Sequence, residues 1–497
     1  MGIVLKQTVR GSIYTYIGAA LGFITLVFIQ PHVINPEQVG LIYMLNDLAV
    51  LFATFAALGF SSTIRYFPYF RSKEHKHHGY LFLALMVALV GFLLICAVII
   101  LFKDQIVRQK SQESFLFSDY YYYLIPLTLF FLYFNIFDLF ARVNYNTVFS
   151  RFLREVLKRI LVLCAFMFLL FKAVDFDGFM PIWLVANILP TFTLLIYSFK
   201  MDTFSFLPDF KFLKRNKPLV KKLINISGFT LLVGTAPFIV GMIDRYMVNR
   251  MYGLSDAGIY SIMFYFCAII TMPSRSLYSI STPVIAEAWK QSDKASIKSL
   301  YHKTCINQLI FAVLLLVGIW GNVDNIFNYL PIYEPGKYIL FFIGIANVVE
   351  MGTGVNGIII ATSKYYRYDG LFYLLLIGFT IFTNMIFLPL YGMTGAAIAT
   401  ALTSIIFNIF RYIFVWRVFK MQPFDWRNLM VVVLGLIVYF ISTLIPQLPN
   451  YVVDIVVRSA AMVLVFIPVV YFLKLSDDFN FFLEKYLKKL TALFIKR

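Results

Sequence analysis

Charge is scarce in this chain. Asp, Glu, Lys and Arg make up 14% of its 497 residues, whereas a soluble surface of that size carries about a quarter. A set of water-soluble domains is therefore excluded. Disorder is excluded as well, because an aromatic content of 18% cannot stay solvated. Cysteine is also rare. Cys96, Cys164, Cys267 and Cys305 are scattered through apolar runs without a CxxC pair, which leaves no disulfide framework or zinc spacing and reads as small apolar filler. HExxH, a Walker A loop and GxSxG are all missing. Asp175 and Asp177 spell a DxD, but in a short loop at a helix end on the side poor in bases. His75, His77 and His78 cluster beside Lys73 and Lys76, where a solvated basic loop and a metal site are the two readings.

What is abundant is apolar surface: 61% of residues are hydrophobic and mean hydropathy is +0.80. Fourteen membrane helices of about 21 residues would use about three-fifths of the chain. The apolar runs number about fourteen, and lipid leaves no partner for exposed backbone, so all are read as helices. The first run is too long for a signal-peptide core and is read as a retained first helix. The expected fold class is an all-α polytopic membrane protein.

The net charge of +18 is distributed by loop. Lys and Arg gather in alternate loops, as in Arg65–Arg71–Lys76, Arg142–Arg151–Arg154–Lys158–Arg159, Lys211–Lys214–Arg215–Lys217 and Lys290–Lys294–Lys298, and at both termini. This alternation is the positive-inside signature. It places both termini in the cytoplasm, and it makes the charge a topology signal, not a nucleic-acid footprint. Segments on the opposite side are too short to form an extracytoplasmic domain. The linker, with Phe204, Phe206, Phe210 and Phe212 among lysines, and the tail, with Phe482, Leu487, Leu490 and Phe494 opposite lysines, suit the inner-leaflet surface.

Two outer loops resemble each other. NPEQVGLIY at 35–43 aligns with YGLSDAGIY at 252–260, matching Gly40 to Gly258 six helices later. An even number of helices preserves orientation, so the expected plan is two six-helix lobes in parallel pseudo-repeat plus two C-terminal helices. Residues 1–200 form the first lobe, 201–222 a basic cytoplasmic linker and 223–420 the second lobe. Residues 421–475 hold helices thirteen and fourteen, and 476–497 an amphipathic cytoplasmic tail.

Ionisable groups inside a bilayer are costly and normally face a cavity or a partner. Stripes at helical spacing carry Tyr43, Asp47, Thr54, Ser61 and Arg65 in the second helix, and Asn135, Asp138 and Arg142 in the fourth. The eighth carries Tyr265, Arg275, Ser279 and Thr282, and the tenth Asn347, Glu350, Thr353 and Gly357. A shared polar lumen and a sealed packing face both account for a single stripe; four charged stripes favour the lumen. Gly234, Pro237 and Gly241 suit a bend in the seventh helix, and adjacent Asp244 and Arg245 read as a structural ion pair. Arg65, Arg142 and Arg275 fall in the cytoplasmic halves of their helices. Arginine suits an anionic headgroup there, because its fork binds phosphate oxygens bidentately and stays charged when desolvated.

Three segments carry a resemblance to a known family. Residues 35–67, IDRYMVNRMYGLSDAGIY at 243–260 and LPLYGMTGAAIATA at 388–401 are similar to oligosaccharide-lipid flippases. These are the polysaccharide-export branch of the multidrug/oligosaccharidyl-lipid/polysaccharide (MOP) superfamily. The resemblance implies a bacterial inner-membrane, multi-pass flippase, not an enzyme. It would move undecaprenyl-pyrophosphate-linked sugar units outward for O-antigen, capsule or related polymers by alternating access. It also implies arginines of the first, second and eighth helices in the lumen, matched here by Arg10, Arg65 and Arg275. The expected substrate-binding set is Arg275, Arg65 and Arg142, with Glu350, Asp47 and Asp138 as lumen carboxylates for a coupling proton or sodium ion. No cofactor, metal or nucleic acid is expected. The expected partners are lipid-linked oligosaccharide, membrane lipids, a polymerase and glycosyltransferases. The alternatives are a cation-coupled multidrug exporter of the same superfamily and, from another class, a membrane glycan polymerase or ligase.

Overall fold

The computed structural model describes residues 2–72, 74–107, 115–144, 147–200 and 209–485. Lys73, Phe204 and Phe206 of the linker and Leu487, Leu490 and Phe494 of the tail lie outside the described residues, as does the side chain of Arg10. Every regular element among the described residues is helical, as the apolar composition requires. Among the described residues, eleven helices are long and apolar enough to cross a membrane. One of them, Tyr366–Phe419, has 54 residues and would rise about 80 Å, far more than the ~30 Å hydrocarbon core. It breaks at Gly392, where φ is 58° and ψ is −147°, a conformation that is essentially glycine-only. That break divides the helix into the eleventh and twelfth spans. The fifth span is the run 147–170, interrupted by a π-helical turn at Leu153–Leu157. The seventh is Lys217–Val233 followed by Ala236–Tyr252, bent at Gly234 and Thr235 where the glycine and proline pattern placed it. The described chain thus accommodates the expected fourteen crossings.

The chain divides into two compact units, Met1–Ile262 and Met263–Arg497, with the boundary inside the eighth span, Leu254–Lys290. In the first unit, the second span Pro36–Ala56 starts on a capping box: Asn35 Oδ1 accepts from Gln38 N at 2.8 Å, and Gln38 Oε1 accepts from Asn35 N at 3.1 Å. Pro36 at the first helical position and Glu37 in the first turn complete the start signal. The helix ends sooner than its polar stripe does. Leu58 and Gly59 take left-handed φ of 46° and 69°, so Ser61 and Arg65 belong to a separate 3-10 segment, Phe60–Tyr69. The single stripe expected from Tyr43 to Arg65 is therefore two segments, because a left-handed pair cannot continue an α-helix. The core of this unit is aromatic and small. Phe60, Phe67, Phe70 and Phe140 pack around Tyr80 and the alanines Ala53, Ala56, Ala84 and Ala88, and Tyr80 Oη sits 2.7 Å from Thr63 Oγ1.

In the second unit, the ninth span Lys294–Trp320 packs Val313 and Val317 against Val431, Leu434 and Val438 of Trp426–Thr443 and Met462 and Phe466 of Tyr451–Phe472. The tenth span, Lys337–Gly352, stops short and resumes as Asn356–Thr362. The eleventh and twelfth spans fold as a helical hairpin, in which Thr383 Oγ1 and Thr403 Oγ1 meet at 3.1 Å and the Tyr373 and Phe407 rings pack tilted with centroids 5.3 Å apart.

Candidate functional site

In the first unit the carboxylates Asp138 and Asp47 each anchor an ion-pair group. Asp138 of the fourth span, Leu124–Val143, is buried. Arg142, one turn on, donates to its Oδ2, and Arg154 Nη2 of the fifth span donates to the same oxygen at 2.8 Å. Asn135 accepts from Arg154 at 3.3 Å. The second group joins Asp47 to Arg245, whose Nε donates to Oδ2 at 2.7 Å while its Nη2 donates to Gly241 O at 2.9 Å. Side-chain exposures of 11% and 5% make this a buried pair. Asp244 accepts from Tyr260 at 3.3 Å. The structure thus ties Arg245 to Asp47 across 198 residues, a partner that adjacency in sequence could not suggest. Arg65 is exposed on its 3-10 segment.

In the second unit Arg275 is exposed on the eighth span and forms no ion pair among the described residues. One turn on, Tyr278 donates to Gly354 O at 3.3 Å, where the tenth span breaks. Glu350 is exposed two residues before the end of Lys337–Gly352. Its carboxylate makes no hydrogen bond among the described residues and lies within electrostatic range of Arg411. Arg411 Nη2 donates to Asp369 at 2.6 Å, and its guanidinium lies over the rings of Phe407 and Tyr373, 4.2 and 4.9 Å from their centroids. Gly357 leaves the space: a Cβ there would stand 3.0 Å from Arg411 Nη1.

Sequence reasoning missed Arg154, Asp369, Arg411 and Tyr278. Arg154 and Arg411 had been absorbed into topology signals. The turn at LPLYG held a usable sign, since Asp369 with Arg411 and Tyr373 with Phe407 stand at equal distances along the two arms of the hairpin.

The remaining motifs resolve into local structure. Asp175 caps the sixth span, Phe176–Phe199, accepting from Gly178 N at 2.9 Å, and Asp177 accepts from Tyr120 Oη at 2.5 Å. The three imidazoles do not converge. His77 is buried and takes Ser72 N and Asn144 as partners at 3.2 Å. His78 Nδ1 lies 2.9 Å from Asp209 and its ring stacks on Phe212, while His75 stacks on His78. His78 and the Phe212 amide hold the Asp209 carboxyl below its ordinary range. The four cysteines are free, and buried Cys267 donates to Leu340 O at 3.3 Å.

No curated protein matches the chain. A structure of the lipid II flippase MurJ in an inward closed conformation has a TM-score of 0.72 at 15% identity, covering 94% of this chain and 99% of that one. A MOP superfamily transporter from Pyrococcus furiosus has a TM-score of 0.60 at 13% identity, covering 84% and 95%. An inward-facing multidrug resistance MATE family transporter has 0.58 at 13%, covering 87% and 100%. Identities this low carry the fold alone. Residues 4–289 match the family described as polysaccharide biosynthesis protein, more than half of the chain. This multi-pass helical membrane protein, folded as the MOP-superfamily transporters are, therefore belongs to the polysaccharide biosynthesis protein family.

Proposed function

We propose that this chain is a flippase of the bacterial cytoplasmic membrane, with both termini inside. Its substrate is an undecaprenyl-pyrophosphate-linked oligosaccharide, moved outward for cell-surface polysaccharide synthesis by alternating access of the lobes 1–200 and 223–420. The single observation that carries this reading is Arg275, an arginine exposed within a membrane span with no ion pair among the described residues. Exposure to lipid at that depth is costly, so the guanidinium is read as facing a polar lumen. There it offers a fork for phosphate oxygens. Arg65 and Arg142 supply further positive charge. A polymerase and glycosyltransferases are the partners this reading implies.

The carboxylates separate this reading from a cation-coupled drug exporter. Asp47 and Asp138 are committed to Arg245 and to Arg142 with Arg154, which leaves little acidic surface for a cationic drug. Glu350 is the exposed exception. A membrane potential negative inside already pushes an anion outward, so a proton or sodium ion on Glu350 would serve to reset the empty carrier.

The test is reconstitution of the purified protein in liposomes with a fluorescent undecaprenyl-diphosphate oligosaccharide in the bilayer. Transfer of the label between leaflets above protein-free liposomes is expected, and Glu350→Gln should flatten its dependence on pH and sodium. No transfer of this lipid, together with uptake of cationic dyes, would replace the reading by the exporter.

A further inference from the structure

The fifth span departs from α-helical geometry at one place. Leu153–Leu157 winds as a π-helix, as Ile24–Ile29 of the first span also does, a rare form that is frequent at functional sites. Arg154 is the second residue of that turn. Its guanidinium lies 5.0 Å from the Phe134 ring centroid, and its Nη2 reaches Asp138 Oδ2 at 2.8 Å. Arg142, one turn on in the fourth span, donates to the same oxygen. Two guanidinium groups from two spans therefore converge on one carboxylate oxygen.

The exposures say what the group is built for. Asp138 is sealed, with its side chain 8% exposed, whereas Arg142 and Arg154 keep 51% and 39%. A tie serving only to join two helices would bury the arginines with the acid. Here the acid lies beneath and the cations lie open. Among the described residues, the Nε and Nη1 groups of both arginines take no acceptor. Two forks against one carboxylate leave an excess of positive charge, and Lys158 adds to it with its ammonium 4.5 Å from the Phe131 ring centroid. Exposed Asn135 extends the same polar face.

We infer that Arg142 and Arg154, aimed by Asp138, form a two-pronged clamp for a diphosphate at the cytoplasmic ends of the fourth and fifth spans. The inference rests on the flippase reading for its topology and for the lipid that carries the diphosphate. Each planar fork takes one phosphate group bidentately. A monophosphate fills one fork and leaves the other unused, so the clamp prefers diphosphate. Arg142 and Arg154 are binding residues, and Asp138, which also takes a hydrogen bond from Ser150, is a positioning residue.

The test uses the full-length protein in detergent, titrated with undecaprenyl diphosphate and, separately, undecaprenyl monophosphate. Wild-type protein is expected to bind the diphosphate more tightly. Arg154→Ala should weaken diphosphate binding about 10-fold or more, the loss of a charged hydrogen-bonded pair, with little change for monophosphate. Arg154→Lys, which keeps the charge and the fold but not the fork, should retain only part of the preference. Asp138→Asn separates positioning from simple attraction. It adds net positive charge, so unguided electrostatics would tighten both lipids, whereas loss of aim lowers the preference for diphosphate. Wild-type selectivity in Arg154→Lys, or equal tightening of both lipids in Asp138→Asn, would overturn the clamp while leaving the flippase reading in place. Failure of the wild-type protein to bind either lipid would overturn both.

Discussion

Gly40 and Gly258 pack against each other reciprocally. A Cβ on Gly40 would run into the carbonyl oxygen of Leu254, four residues before Gly258, and a Cβ on Gly258 would run into that of Pro36, four residues before Gly40. The two loop signatures that match in sequence therefore meet in space through equivalent atoms. Gly40→Val and Gly258→Val should each lower the melting temperature of the purified protein, at about 1–3 kcal/mol apiece, because the obstruction is backbone and cannot turn aside. The double variant should cost less than the sum, since one contact is lost twice. Gly318→Ala, where a Cβ meets nothing within 4 Å, should be neutral or stabilising. Wild-type melting of Gly40→Val would contradict the packing.

Asp47 and Arg245 form a buried pair, and breaking it from either side should be expensive. Asp47→Asn or Arg245→Met leaves an uncompensated charge, at about 3–5 kcal/mol. Asp47→Leu combined with Arg245→Met should recover much of that loss. Thermal melting of the three variants checks this. An Asp47→Asn protein that melts normally but has lost ion-dependent transport would move Asp47 to the coupling site.

A second knot fastens the C-terminal helices. Asp454 Oδ2 accepts from Arg458 Nε at 2.6 Å and Asn325 at 2.5 Å, and its Oδ1 accepts from Leu448 N at 3.1 Å. Arg458 in turn donates to Ser442 O and Ile445 O at 2.7 and 2.8 Å. Arg458→Lys should not rescue it, because an ammonium lacks the fork that reaches three acceptors. Faster proteolysis between residues 443 and 451 is the expected readout for Asp454→Ala and Arg458→Lys alike. A protease-resistant Arg458→Lys would show that charge alone suffices.

Much of the fold was legible because lipid simplifies the code: apolar runs mark spans, and bases mark one side. The Gly234–Pro237 bend was legible for the same reason, since a break involves neighbours in sequence; the Asn35–Gln38 cap is equally local but went unread. The pairing of charges was not legible. Asp47 and Arg245 belong to different spans, as do Asp138 and Arg154, and Arg154 stands in a π-turn. A periodicity of 3.6 forecasts neither pairing. Helix continuity misled in one place, where Leu58 and Gly59 end the second span before Arg65.

The topology has a direct check. Lys172 and Gln447 lie exposed on the side poor in bases, and Ser292 and Lys420 lie exposed on the other. Cysteines at the first two should react with an impermeant maleimide in intact cells, and those at the last two only after permeabilisation. Asn325 is unsuitable as an outer reporter because it is buried against Asp454. Labelling of Ser292→Cys in intact cells would invert the assignment.

The measurement that bears most directly on the central claim is complementation of a flippase-deficient strain with variants of Arg275 at matched protein level. Arg275→Ala should abolish surface polysaccharide while the protein melts and accumulates as wild type, and Arg275→Lys should restore only part. Full polymer export by Arg275→Ala would contradict the account, because the exposed arginine on which the anionic substrate is argued would then have no part in moving it.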